Sequence, residues 1–228
     1  MNGNFNKNSE FYPLNIFVMA VILHKKLPGQ CSIGIWLISE GYDELLSKLV
    51  LNPREQATLE GFRNPERKLE WLSVRTLANE MTGRSVRIMY NTERKPYLED
   101  KSFNISISHS NKLTAILMSK GKRVGIDMEH MSHRISKIAD RFIHESEKIT
   151  DDPELIKYHL YIHWCAKEAL YKICDKQGIH FKKDIIIDCF DPGPEGQLAG
   201  VVNSDAGSEK FELKYFSLDN YIIVWSCK

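Results

Sequence analysis

Apolar positions alternate or recur along this chain in ways that predict short strands and helices in mixed order. Ile33, Ile35, Trp36, Leu37 and Ile38 lie between Gly29 and Gly41 and predict a strand over 32–39. Residues 42–50 and 53–62 have the spacing of short amphipathic helices. The next helix is better marked. Asn64 can cap it, Pro65 suits the first position, and Glu66 suits the positive end of the dipole. Leu69, Leu72, Thr76 and Leu77 share one face, and Gly83 ends it. Strands are expected over 86–90, 104–108, 113–119 and 124–128, then a helical pattern over 135–143. A long helix is expected over 153–175, capped by Asp152 and stopped before Gly178. Residues 184–189, 211–216 and 221–226 read as strands, and the Gly-, Pro-, Asp- and Ser-rich stretch 191–208 as an exposed loop or hairpin connection.

Each half thus runs strand, helices, strands, which indicates an α+β fold rather than a parallel βαβ one. Lys120-Gly121-Lys122 is the candidate boundary, giving lobes at 19–121 and 122–228 behind an N-terminal extension, 1–18, that is poorly ordered or docked. Phe17 to Leu23 is apolar but far too short to span a bilayer. The polar, Asn-rich stretch before it, with Lys7 alone, makes a poor signal peptide, and Met19 is a candidate start.

The 228 residues carry a formal charge of +1, so no global field draws the chain to nucleic acid or membrane, and an anionic substrate needs a local patch. The five cysteines are odd in number and form no C-x-x-C pair, which fits reduced thiols in a cytoplasm. No P-loop, Rossmann glycine fingerprint or His-Glu-x-x-His occurs.

Four clusters can carry chemistry. On a strand, Asp127 and Glu129 of Gly125-Ile126-Asp127-Met128-Glu129 face one side, while Ile126 and Met128 enter the core. Two close carboxylates repel unless a cation lies between them, and hard oxygens suit Mg2+; otherwise they are solvated charges at a strand end. On a helix, Trp164, Glu168 and Lys172 share a face at i, i+4, i+8, as a cleft wall or as an ordinary surface pair. Ser106-Ile107-Ser108-His109-Ser110 leaves a strand with hydroxyls, an imidazole and backbone N–H groups that can grip a phosphate, or else make a polar turn with a hydrogen-bonded His. Arg67 and Arg75 lie two turns apart on one helix, and Arg94-Lys95-Pro96-Tyr97 makes a basic turn; each is either a phosphate contact or a solvated surface patch.

Together and in this order, the Lys95-Pro96 turn, the Ser108-His109 element, Gly125-x-Asp127-x-Glu129 and Trp164-x-x-Lys167-Glu168-Ala169-x-x-Lys172 resemble the 4′-phosphopantetheinyl transferase superfamily. The length resembles its longer, monomeric type, which implies two similar lobes, each a small antiparallel sheet packed with helices, related by a pseudo-two-fold axis. The resemblance implies transfer of the 4′-phosphopantetheine arm of coenzyme A to a serine of an apo acyl or peptidyl carrier protein, releasing 3′,5′-ADP. It implies Mg2+ (or Mn2+) on Asp127, Glu129 and Glu168, with Glu168 also the base and Lys172 facing the phosphates. Ser108 and His109 resemble the grip on the 3′-phosphate, Arg67 and Arg75 basic positions near it, and Lys95-Pro96 the turn beside the adenine. Carrier proteins of this kind are acidic, and Arg134, Lys137 and Arg141, spaced for one helical face, are candidates to meet them. Two positions depart from the family pattern. Arg94 stands where it has glycine, and Cys165 where it has Ser or Thr. The rivals are a metal-dependent nuclease, disfavoured by the near-neutral charge, and a coenzyme A or carrier-binding module with a dead centre, disfavoured by the intact carboxylate trio.

Overall fold

The structure is a computed structural model and describes residues 20–132, 134–174, 178–205 and 207–228. Its elements are β1 (Val21–Leu27), β2 (Cys31–Leu37), α1 (Tyr42–Ser47), α2 (Pro53–Glu60), α3 (Pro65–Thr82), β3 (Ile88–Tyr90), β4 (Pro96–Leu98), β5 (Asn104–Ser110), β6 (Leu113–Ser119) and β7 (Val124–His130). A 3-10 turn (Ile135–Ile138) leads to α4 (Ala139–Phe142), α5 (Ile156–Ile173), β8 (Ile185–Ile187), β9 (Glu195–Ser204), β10 (Gly207–Leu218) and β11 (Tyr221–Cys227).

Two antiparallel sheets carry the fold, in the orders β1-β2-β6-β5 and β7-β11-β10-β9-β8, beside a β3-β4 ribbon. The chain crosses from the first sheet to the second across the 120–122 turn. The sheets face each other through Ile33, Ile35, Ala115 and Leu117 on one side and Ile126, Met128 and Ile223 on the other. Helix α3 covers the outer face of the first sheet through Leu72, Leu77 and Ala78 against Trp36, Ile116 and Met118. Helix α5 covers the second through Ile162, Ala169 and Leu170 against Leu213, Ile222 and Val224. Strand β6, apolar at nearly every position, is buried on both faces between these layers. This is the α+β architecture expected from the strand–helix–strand order.

The signals for α3 act as expected. Asn64 Oδ1 accepts from Glu66 N at 2.8 Å, Pro65 opens the helix, and Gly83 closes it in the left-handed region at φ 67°. Four expectations need correction. Stretch 191–208 contains the ten-residue strand β9, whose Leu198, Gly200 and Val202 point inward. Helix α5 begins at Ile156, because the Asp152 carboxylate accepts from Glu154 N (3.0 Å) in a turn that precedes it. It ends at Ile173, ahead of Gly178, and residue 175 of the expected helix lies outside the described residues. Residues 135–143 form a 3-10 turn and a single α-turn, so Arg134, Lys137 and Arg141, all exposed, do not share one regular helix. The basic turn at 94–97 runs into a strand, β4, that the sequence pattern did not suggest. The apolar run ending at Leu23 enters β1; residues 1–19 lie outside the described residues. Among the described residues no helix is long and apolar enough to cross a membrane.

Two polar clusters lie inside the second half. Lys167 is fully buried, and its ammonium donates to Glu147 Oε2 (2.8 Å) and to the carbonyls of Phe142 (2.6 Å), Ile185 (2.7 Å) and Phe181 (3.1 Å). Glu147 in turn accepts from His144 N and Ile187 N, so one ion pair ties two loops and β8 to α5. Nearby, His159 stacks beside His163 and Phe190 with ring centroids at 5.0 and 4.5 Å. Its Nδ1 accepts from Thr150 N, which places the ring proton on Nε2, a buried atom without a partner.

Candidate active site

Strand β7 approaches α5 unusually closely. A Cβ at Gly125 would meet the Ala169 carbonyl oxygen at 2.1 Å and Ile173 Cβ at 3.0 Å, so only glycine fits between strand and helix. Two residues on, Asp127 faces the same helix. The Lys172 ammonium donates to Asp127 Oδ1 at 2.7 Å, to Ser108 Oγ at 3.2 Å and to the Ile126 carbonyl at 3.1 Å. Asp127 is 4% exposed, and its Oδ2 is buried without a hydrogen-bond partner. Glu129 Oε2 accepts from Ser110 Oγ at 3.0 Å, and the Trp164 indole also donates to this carboxyl. Cys165, the departure from the family's hydroxyl residue, is fully buried beside Asp127; burial first, then the neighbouring carboxylates, push its thiol pKa well up.

Negative charge is crowded here. Burial and the Asp127 carboxylate push Glu168 up to about 7, although Lys172 opposes this. Glu129 is also raised, by burial and then by Asp127. Burial alone would lower the Lys172 ammonium, but Asp127 and Glu168 outweigh it and hold it above its ordinary value.

Lys172 also lines a cleft of about 570 Å3 between α3, the β3-β4 ribbon, β5 and the end of α5. Arg67, Arg75, Lys95, Pro96 and His109 line the same cleft, so six of the expected ligand-binding residues share one wall system, with Tyr90 and Tyr171 as aromatic flanks. Arg67 donates to Glu70 Oε2 (2.8 Å) and to His109 Nε2 (2.7 Å). The latter bond puts the imidazole proton on Nδ1, which lies 3.5 Å from Glu70 Oε1. Burial, then Arg67, keep the His109 pKa low against the pull of Glu70. Glu70 went unnoticed in the sequence; its only signal is its place three residues after Arg67, where a helix brings the two side chains together. Arg75 is more committed to the protein. It stacks on Trp71 at 3.3 Å, donates to the Trp71 and Ile88 carbonyls, and burial lowers it to about 10.

Ser108 is placed differently from the expectation. It does not line the cleft; its hydroxyl is occupied by Asp127, Lys172 and Met128 N, so it is not aimed at a phosphate. Arg94 resolves its own departure from glycine. It takes φ 62°, the left-handed conformation glycine adopts freely, at a strain of roughly 1–2 kcal/mol. The Lys95-Pro96 turn therefore keeps a glycine-like path.

Among the described residues, no three His, Cys, Asp or Glu side chains form a ready-made metal cage, so Asp127, Glu129 and Glu168 do not stand as a closed ligand set. Their chemistry nevertheless fits a hard divalent cation. They are oxygen donors, the Asp127 carboxylate helps burial raise the pKa values of Glu129 and Glu168, and one buried Asp127 oxygen has no partner.

Curated proteins give no match to the chain. A family model does. The strand of Asp127 and Glu129, the helix of Glu168 and Lys172, and the sheet behind them all fall within residues 123–225, and that stretch matches the model of the 4′-phosphopantetheinyl transferase superfamily, which supports phosphopantetheine transfer in general.

Proposed function

We propose that this protein transfers 4′-phosphopantetheine from coenzyme A to a serine of an apo acyl or peptidyl carrier protein, releasing 3′,5′-ADP, as a holo-acyl-carrier-protein synthase does. One observation carries the reading. A cationic cleft meets a buried acidic group at Lys172, which lines the first and is ion-paired into the second.

The cleft suits the nucleotide end of coenzyme A. Arg67 and His109 offer N–H donors to the 3′-phosphate, once that anion replaces Glu70 as their partner. The Lys95-Pro96 turn and the flanking tyrosines offer a face to the adenine. Lys172, charged at neutral pH, is in place to balance charge on the pyrophosphate as the leaving group departs. Asp127, Glu129 and Glu168 would hold Mg2+ or Mn2+, which when bound supplies positive charge to the pyrophosphate oxygens. Glu168, with an affinity for protons near neutrality, takes the proton of the carrier serine. No covalent enzyme intermediate is needed, because orientation and charge stabilisation suffice. The exposed Arg134, Lys137 and Arg141 offer an acidic carrier a basic surface.

Incubation with coenzyme A, Mg2+ and a panel of apo carrier proteins from fatty-acid, polyketide and peptide synthesis, read by intact mass, tests the reading. At least one carrier gains a phosphopantetheine, and Glu168→Gln binds coenzyme A yet transfers poorly. A panel left unmodified under conditions where a known transferase works, or full activity in Glu168→Gln, refutes the reading or the base respectively.

A further inference from the structure

Strands β5 and β7 are edge strands of different sheets and share no backbone ladder. Side chains join them instead. Ser106, Ser108 and Ser110 accept from the N–H groups of Ile126 (3.1 Å), Met128 (3.1 Å) and His130 (2.9 Å) on the free edge of β7. A hydroxyl that accepts a backbone N–H keeps a proton of its own to donate. Ser108 gives it to Asp127 Oδ1 (2.9 Å) and Ser110 to Glu129 Oε2 (3.0 Å). Ser106 makes the first kind of bond and, among the described residues, none to a carboxylate.

We infer that Ser110 is a positioning residue: its hydroxyl, held by the His130 N–H, aims the Glu129 carboxylate toward Asp127 and Glu168. The inference rests on the reading of those three carboxylates as ligands of a divalent cation. Among the described residues no other hydrogen bond ties the Glu129 carboxylate to β5, and the Trp164 indole that also favours its charged form belongs to α5. Outer partners of this kind orient a ligand and set metal affinity without touching the ion. The seam therefore has two duties that separate by residue. Ser106 closes the sheet edge alone, whereas Ser110 closes the edge and orients an acid.

The probe is Mn2+ binding to the full chain without coenzyme A, read by electron paramagnetic resonance of the free ion, alongside thermal unfolding. Ser110→Ala weakens Mn2+ binding about tenfold. Ser110→Thr, which keeps a hydroxyl, restores it. Ser106→Ala lowers the melting temperature as much as Ser110→Ala does, yet leaves Mn2+ affinity where it was. Parent-like Mn2+ binding in Ser110→Ala, or equal weakening by Ser106→Ala, overturns the positioning role alone. A parent protein that binds no Mn2+, or an Asp127→Asn variant that binds it as the parent does, overturns the ligand assignment and the inference with it.

Discussion

Asp127→Asn abolishes most phosphopantetheine transfer, by about 10²–10³-fold, while the protein stays folded. The substitution keeps the shape of a side chain that is 4% exposed, so the packing of β7 on α5 persists. It removes the charge that holds the Lys172 ammonium and contributes to the raised Glu129 and Glu168 pKa values. Relief of carboxylate repulsion offsets the lost ion pair, so the melting temperature moves little. The loss falls on turnover, because Lys172 is no longer fixed at the junction of cleft and acidic group, and one of the three carboxylates proposed to hold the divalent cation is gone. Rates measured across a Mg2+ titration, with unfolding followed in parallel, check this. Turnover near that of the parent would remove Asp127 from the site.

Lys167→Met has the largest expected effect on stability. The ammonium is fully buried among four oxygen acceptors, and its removal strands Glu147 in the core. Breaking a buried pair from one side costs about 3–5 kcal/mol. In a chain of this size that lowers the melting temperature by roughly 10–15 °C. The double variant Lys167→Met/Glu147→Leu leaves no uncompensated charge and recovers most of the loss. If the single variants sum to the double, the pair is not coupled and its assigned role is wrong.

The candidate site was more legible in the sequence than the fold around it, for a physical reason. Periodicity alone places Asp127 with Glu129 on one strand face and Trp164, Glu168 and Lys172 on one helix face, because those relations are local. Helix α3 was equally legible, since its cap, first-turn proline and terminal glycine are all short-range signals. Strand β9 was hidden because Gly200 occupies an inward position, and the Pro, Gly and Asp residues before it read as loop. Lys167 was invisible as a buried group. A lysine is rarely buried unless paired, and its partner Glu147 lies twenty residues away on a different element. The same holds for the serines of β5. Alternation correctly set them on one face, but only the arrival of β7 shows that this face meets a strand edge and not a phosphate.

The imidazole of His159, pressed against Phe190 with an unanswered Nε2 proton, makes the chain acid-labile. Burial first, then His163, depress its pKa to about 4, with Asp191 opposing. An unfolded chain takes up that proton near pH 6.5, whereas the native one refuses it until about pH 4. Native stability is therefore intact above pH 6.5 and declines on acidification, by up to about 3 kcal/mol at pH 4. Melting curves recorded from pH 7.5 down to 4.5 should slope accordingly, and His159→Gln, which cannot titrate, should flatten the slope. An identical slope in that variant would place the acid sensitivity elsewhere.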